Sequence, residues 1–252
     1  MGKFSGILLC SDYDGTFAGR GGAPEKEDCE AVRYFQKEGG LFTVVSGRTQ
    51  AFLNDFRSYF VPNAPLITLN GGAICSEKNV LDVRTLDKNV LDVIDFGYSL
   101  GSIDEAHLWH GCFERCEYGG AFRPSQIFKS LPGPYYKAVL VYKTEKQAEF
   151  ARDLLRQIYA GQYLFERSWP VGLEIMPYTS GKGNAVNRLR RILGSDIKTI
   201  IAVGDYENDI SMLKAADIGY AVKNALDNVK QAADRITVAN SDNAISAIIN
   251  EI

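Results

Sequence analysis

Ile7-Leu8-Leu9-Cys10-Ser11-Asp12-Tyr13-Asp14-Gly15-Thr16 is an apolar run that breaks into two carboxylates and a glycine turn. Apolar residues without polar alternation predict a strand over residues 6–12 that is buried on both faces, as in a parallel sheet covered by helices. Side chains alternate along a strand, so Asp12 and Asp14 share one side if the extended conformation continues. Two like charges that close are costly unless one is protonated or a cation lies between them. The tip reads as a metal site, an acid/base pair or both; the competing reading is a solvated turn, where Asp and Gly are common.

The pattern of short apolar strand followed by amphipathic helix recurs. A helix is predicted near 25–38, with Pro24 at its start and Gly39-Gly40 at its end. Strands follow over 41–45 and 66–69, with a helix over 51–59 between them. Late in the chain a helix over 184–193 precedes a strand over 199–203, which ends in Gly204-Asp205. A helix near 208–216, a strand over 218–222 and further helices complete it. Repeated βα units with short connections predict an α/β fold, a Rossmann-like doubly wound parallel sheet.

The middle has another character. A helix over 87–100, an irregular Gly- and aromatic-rich stretch over 101–135, a strand over 137–142, a helix over 145–159 and strands over 162–167 and 172–176 predict an inserted α+β unit. The expected division is a core of residues 1–81 and 177–252 and an insert of residues 82–176. The irregular stretch holds His107, Trp109, His110, Arg115, Tyr118, Phe122 and Arg123. These line a pocket for a phosphorylated ligand, or else form the core and rim of a small domain.

Composition is that of an ordinary soluble protein: 252 residues, 46% hydrophobic, net charge −3. Nothing in that balance predicts binding to nucleic acid or an anionic membrane. No apolar stretch approaches the roughly 20 residues that span a bilayer. Met1–Ser5 leads straight into the first strand, so no signal peptide is expected. Five cysteines, at 10, 29, 75, 112 and 116, are odd in number and lie in apolar segments, which predicts buried, reduced thiols in a cytoplasmic protein. Cys112 and Cys116 lack a second ligand pair at zinc spacing, so core or substrate-facing roles are expected there.

Other strand tips are polar too. The second strand ends in Ser46-Gly47-Arg48, the late strand in Gly204-Asp205 with Asn208 and Asp209 following, and Ser180-Gly181-Lys182-Gly183 opens a helix. In an open parallel sheet the carboxyl ends of the strands form the ligand crevice, and four polar tips on one edge favour a site over a turn. The residue types suffice for phosphoryl transfer. Asp12 can act as nucleophile and Asp14 as proton donor and acceptor. Ser46 and the backbone N–H groups near it can bind a phosphoryl oxygen, and Lys182 can neutralise it. Asp205 completes an oxygen-rich set suited to Mg2+. Asn208 and Asp209 reach the metal, orient Lys182, or act only as caps.

Asp12-Tyr13-Asp14-Gly15-Thr16, Ser46-Gly47-Arg48, Lys182 and Gly204-Asp205-Tyr206-Glu207-Asn208-Asp209 resemble, in order, the four motifs of the haloacid dehalogenase superfamily of phosphatases. Asn70-Gly71-Gly72, Glu174-Ile175-Met176-Pro177 and Met212-Leu213 are similar to its Cof-type branch. The resemblance implies Asp12 as nucleophile and Asp14 as acid/base, with Ser46, Gly47, Lys182 and Asn208 on the phosphate. It implies Mg2+ held by Asp12, the Asp14 carbonyl, Asp205 and Asn208, with Thr16 and Asp209 in support. Asp14 and Ser46 are 32 positions apart and Ser46 and Lys182 are 136. The insertion therefore follows the second motif, which in this superfamily is a C2 cap of class IIB, closing over the core and choosing the substrate. His107, Trp109, Arg115 and Arg123 are its expected specificity residues. Tyr13 stands where an aliphatic residue is usual, a feature also similar to sugar-phosphate phosphatases, and Gly219-Tyr220-Ala221-Val222 is a looser match. The expected activity is Mg2+-dependent hydrolysis of a small phosphate ester, such as a sugar phosphate, through an aspartyl phosphate. A phosphomutase shares the core and cap. A receiver-type phospho-acceptor module uses similar residues but is much shorter and has no large insert.

Overall fold

The computed structural model describes residues 2–19, 22–55, 58–120 and 123–252. Two compact units divide the chain: Met1–Asp82 with Gly181–Ile252, and Val83–Ser180. In chain order the first unit begins with β1 (Ile7–Ser11), α1 (Lys26–Lys37), β2 (Leu41–Val44), α2 (Gln50–Asn54), β3 (Leu66–Thr68), β4 (Ala73–Cys75) and β5 (Val80–Val83). The second unit follows with α3 (Val90–Ser99), β6 (Ile103–His110), β7 (Glu114–Tyr118), α4 (Ser125–Phe128), β8 (Tyr135–Tyr142), α5 (Glu145–Ile158), β9 (Tyr163–Trp169) and β10 (Gly172–Pro177). The first unit then resumes with α6 (Lys182–Leu193), β11 (Thr199–Gly204), α7 (Ile210–Ala215), β12 (Ile218–Ala221), α8 (Asp227–Ala232), β13 (Arg235–Ile236) and α9 (Ala244–Glu251).

The main sheet of the first unit runs β13-β12-β11-β1-β2, every neighbouring pair parallel. β1 lies inside it, laddered to β11 on one side and β2 on the other, so its backbone groups are satisfied in both directions. That is why an unbroken apolar run suits it: Leu8, Leu9 and Cys10 are wholly buried. Helices pack in pairs, α1 with α9 and α6 with α7. β3 adjoins β2 through a parallel bridge between Val45 and Ile67, then turns into an antiparallel pairing with β4.

The second unit is an antiparallel sheet in the order β7-β6-β8-β10-β9. α3 and α5 cover one face, over a core that includes Ala106, Leu108, Ala138, Leu140, Leu173 and Ile175. Residues 101–135, expected to be irregular, contain the β6–β7 hairpin. Its period-two signal is real but mixed: Ala106 and Leu108 enter the core while His107 and Trp109 take the opposite face. The turn between them uses positive φ at Gly111 and Phe113, which no residue-type rule flags for Phe.

Other expectations are corrected in detail. The helix expected over 51–59 covers Gln50–Asn54, with Thr49 Oγ1 accepting the Phe52 N–H at its start; residues 56 and 57 lie outside the described residues, as does Phe122. The helix expected near 208–216 is a 3-10 turn over Glu207–Asp209 followed by α7. All five cysteines are free, but Cys112 is exposed in the hairpin turn, and Cys116, in mid-β7 opposite Leu108, is half-buried because it packs against the core from an edge strand. No described helix is long and apolar enough to cross a membrane.

One buried charge links α1 to α9. Asp28 is fully buried, and its Oδ1 accepts the Ser246 N–H at 2.7 Å in the first turn of α9. Its Oδ2 is buried without a hydrogen-bond partner. Burial pushes this carboxyl up to about 6, against the opposing effect of the Ser246 and Ile245 N–H groups. A folded-state value above the unfolded one means that stability is fully present below pH ~4 and is lost as pH rises through about 6. Asp28→Asn is therefore expected to gain about 2 kcal/mol on the wild type between pH 4.5 and 7.5 in urea melts. Parallel pH profiles would refute the assignment.

Candidate active site

The chain leaves β1 at Ser11, and Asp12 is the first residue beyond the ladder. Its N–H still donates to the Val203 carbonyl at 3.0 Å, which ties it to the end of β11. The extended conformation does not continue. Tyr13 turns inward, fully buried, against Phe17, Phe52 and Phe60. Asp12 and Asp14 consequently separate. Asp12 is buried, whereas Asp14 is half exposed and held by both arms of Arg48: Nε to Oδ2 at 2.9 Å and Nη2 to Oδ1 at 3.0 Å. The Arg48 guanidinium also lies over the Phe52 ring, 4.1 Å from its centroid.

The carboxylates beside Asp12 are Asp205 and Asp209, brought by the end of β11 and the turn that follows. Each of the three offers an oxygen within 4.8 Å of the others. The Asp14 side chain is not in this group; its place in the expected metal set rests on its carbonyl alone. Lys182, the first residue of α6 and also buried, donates from Nζ to Asp12 Oδ1 and Asp209 Oδ1, both at 2.6 Å. Asp209 Oδ2 accepts the N–H groups of Asp205 and Tyr206 at 3.0 and 3.1 Å, so both its oxygens are engaged. Asp205 Oδ1 accepts the Thr16 hydroxyl at 2.8 Å.

Glycines make these approaches possible. Gly15 has φ +82°, and the Asp205 carboxylate lies over it where a Cβ would stand. Gly181 has φ +92° just before Lys182, and Gly183 leaves room for the Ser211 carbonyl of α7. The Ser-Gly-Lys-Gly spacing is thus the local signal for a buried lysine delivered by a helix start.

Burial pushes Asp12 well above the usual carboxylate range, Lys182 opposing and the charges of Asp209 and Asp205 adding. Burial and the Asp209 charge push Asp205 up to about 6, while its bond from Thr16 works the other way. Burial alone would lower Lys182, but Asp12 and Asp209 outweigh it and hold the ammonium charged. Asp12 and Asp205 offer oxygens within 4.8 Å of each other, a proximity that is costly for two ionised carboxylates without a proton or cation between them. An all-oxygen donor set of this kind suits a hard divalent cation.

Ser46 is buried at the end of β2, its Oγ accepting the Arg48 N–H at 3.2 Å. Gly47 faces the Asn70 amide, which a Cβ would approach to 3.1 Å. Asn208 is buried and donates from Nδ2 to Asn70 Oδ1 at 3.1 Å. The first unit therefore gathers Asp12, Thr16, Lys182, Asp205 and Asp209 in one hydrogen-bonded group, with Ser46, Gly47 and Asn208 joined through Asn70. The sequence motifs Ser46-Gly47-Arg48 and Asn70-Gly71-Gly72 contain Arg48 and Asn70 but assign neither a role; their pairings with Asp14 and Asn208 come from the structure.

In the second unit His107, Trp109 and Arg115 share the helix-free face of the β6–β7 hairpin. His107 Nε2 lies 3.1 Å from Glu105 Oε2, its ring stacks on Trp109, and Arg115 pairs with Glu117. Burial lowers the His107 imidazole despite Glu117 and Glu105. Arg123 is exposed just ahead of α4. The same face holds an ion pair that sequence reasoning missed: Lys137 and Glu174, both buried, 3.2 Å apart, with Lys137 Nζ over the Trp109 ring at 4.7 Å.

Comparison with known proteins agrees with this architecture. Residues 9–102 and 122–249 match the haloacid dehalogenase-like hydrolase family. A putative phosphatase of Streptococcus pyogenes is 35% identical, covering 97% of each chain. A 5-amino-6-(5-phospho-D-ribitylamino)uracil phosphatase of Bacillus subtilis is 25% identical, again over 97% of each. The fold is shared with a solved subclass IIB sugar phosphatase of the superfamily, at TM-score 0.77 and 19% identity, covering 97% of each chain. With the family match spanning most of its length and phosphatases among its full-length relatives, the chain belongs to the haloacid dehalogenase-like hydrolases, in their Cof-type phosphatase branch.

Proposed function

We propose that this enzyme hydrolyses a small phosphorylated metabolite, a sugar phosphate or a compound of similar size, through an aspartyl phosphate on Asp12. The observation that carries the reading is Lys182 Nζ bonded at 2.6 Å to both Asp12 and Asp209. A buried ammonium there favours the ionised form of Asp12 against its burial and orients it, and it offsets repulsion between that nucleophile and a phosphate dianion. An Asp12 oxygen attacks phosphorus and the P–O bond to the ester oxygen breaks. Asp14 gives a proton to that oxygen, for which one of its carboxylate oxygens must turn from Arg48. Water then attacks the aspartyl phosphate, Asp14 takes its proton, and inorganic phosphate leaves with Asp12 restored. Ser46, the Gly47 backbone and Asn208 bind the phosphoryl oxygens.

Mg2+ is the proposed cofactor, held by Asp12, the Asp14 carbonyl and Asp205 with Asn208 beside them; when bound it neutralises charge on the transferring group. Thr16 and Asp209 orient Asp205 and Lys182. We assign choice of the ester's organic part to the inserted unit, with His107, Trp109, Arg115 and Arg123 as the residues to test. The small phosphorylated compounds named for the relatives support that substrate size. Five free thiols are in keeping with a reducing, cytoplasmic setting.

The test is release of inorganic phosphate from a panel of phosphorylated metabolites, with Mg2+ and after chelation. Turnover of at least one small ester that falls to background on chelation is expected. Absence of turnover on every ester, or undiminished turnover without divalent metal, would overturn the respective part of the reading.

A further inference from the structure

We propose that Asn70 is a positioning residue of the phosphate site, tying three of its loops to one point; this rests on the phosphatase reading above. Leu69 and Asn70 adopt φ of 53° and 52° in succession. That left-handed conformation is tolerable for Asn and unfavourable for Leu. Strain of this sort persists where the surroundings over-determine it. Four hydrogen bonds do so here. Leu69 N–H donates to the Arg48 carbonyl at 3.0 Å and Asn70 N–H to the Ser46 carbonyl at 2.9 Å. Gly181 N–H donates to the Asn70 carbonyl at 3.0 Å. Asn208 Nδ2 donates to Asn70 Oδ1 at 3.1 Å.

Together the four bonds reach three separate loops. The first two fix the 46–48 loop behind Ser46, the third fixes the Ser180–Gly181 peptide just ahead of Lys182, and the fourth sets which way the Asn208 carboxamide faces. Asn70 itself is wholly buried. Only a residue that accepts left-handed φ and carries a short carbonyl side chain meets all of these demands, and Asn is the one that does both without a charge. Phosphate affinity then depends on a residue with no part in the chemical steps.

Asn70→Ala would confound the two demands, because it strains the backbone and removes the acceptor together. Asn70→Gly separates them: it permits the same φ and keeps the backbone bonds while deleting Oδ1. Its KM for a phosphate ester is expected to rise about tenfold, with the stabilisation of the protein by inorganic phosphate in thermal melts weakened in step. Because Asn70 acts through Asn208, Asn208→Ala should show a similar loss, and the double variant should be no worse than Asn208→Ala alone. Wild-type KM and wild-type phosphate stabilisation in Asn70→Gly would overturn the inference, as would losses that multiply in the double variant. Failure of the wild type itself to hydrolyse any ester would instead sink the phosphatase reading.

Discussion

Asp12→Asn is expected to lower hydrolysis of every accepted ester by at least about 10⁴-fold, the size of loss seen when a covalent nucleophile is removed. The fold should not suffer. Asp12 is one of three clustered acidic groups facing one buried ammonium, so replacing it with a neutral isostere relieves like-charge repulsion. Asn Oδ1 still accepts from Lys182, which keeps Asp209 as its charged partner. The melting temperature without metal is therefore expected to stay within a few degrees of wild type. Any rise that Mg2+ gives the wild type should be largely lost, because a ligand stabilises only the state that binds it. Assay of phosphate release beside thermal melts with and without Mg2+ checks all three. Undiminished turnover would remove Asp12 from the mechanism, and a collapse in stability would mean that its charge is structural.

That the site residues are legible in the sequence while their pairings are not has one physical origin. A strand buried on both faces is mostly apolar, so a carboxylate one residue beyond Leu8-Leu9-Cys10-Ser11 stands out against its background. Lys182 was legible for a similar reason: glycines on both sides of a helix start announce tight approach. Spacing likewise exposed the insertion, since no single βα connection needs the distance from Ser46 to Lys182. Partner choice is not encoded locally. That Asp14 pairs with Arg48, and not with the other carboxylates, depends on the chain turning at Tyr13 to bury its ring. Nothing in Asp-Tyr-Asp states that this outweighs continued alternation. Asn70 meets Asn208 across 138 residues, and Lys137 meets Glu174 between strands whose alternation reads equally well with charges facing solvent. The β6–β7 hairpin was hidden because histidine, tryptophan and arginine alternate with its core residues, which dilutes the apolar period.

Lys182→Met offers the opposite balance of effects: loss of activity together with a large loss of stability. Methionine keeps the length and packing of the stem but removes the charge, leaving Asp12 and Asp209 buried and uncompensated. Removing one partner of a buried ion pair typically costs about 3–5 kcal/mol, equivalent to a fall on the order of 10 °C in a domain of this size. The cost is set by ionisation, which gives it a sign. Without the ammonium, Asp12, already raised by burial, loses the charge that opposes that rise, so the folded state keeps its stability when this carboxyl is protonated. That stability is lost as pH rises through its raised value, and the deficit should be largest near pH 8 and should narrow toward pH 5. Adding Asp12→Asn removes one of the two uncompensated charges, so the double variant should melt above Lys182→Met while remaining inactive. Melts of the four proteins at both pH values close a double-mutant cycle on this contact. A single variant as stable as wild type at pH 8, or a double variant less stable than Lys182→Met, would show that the ammonium is not what makes the carboxylate cluster tolerable.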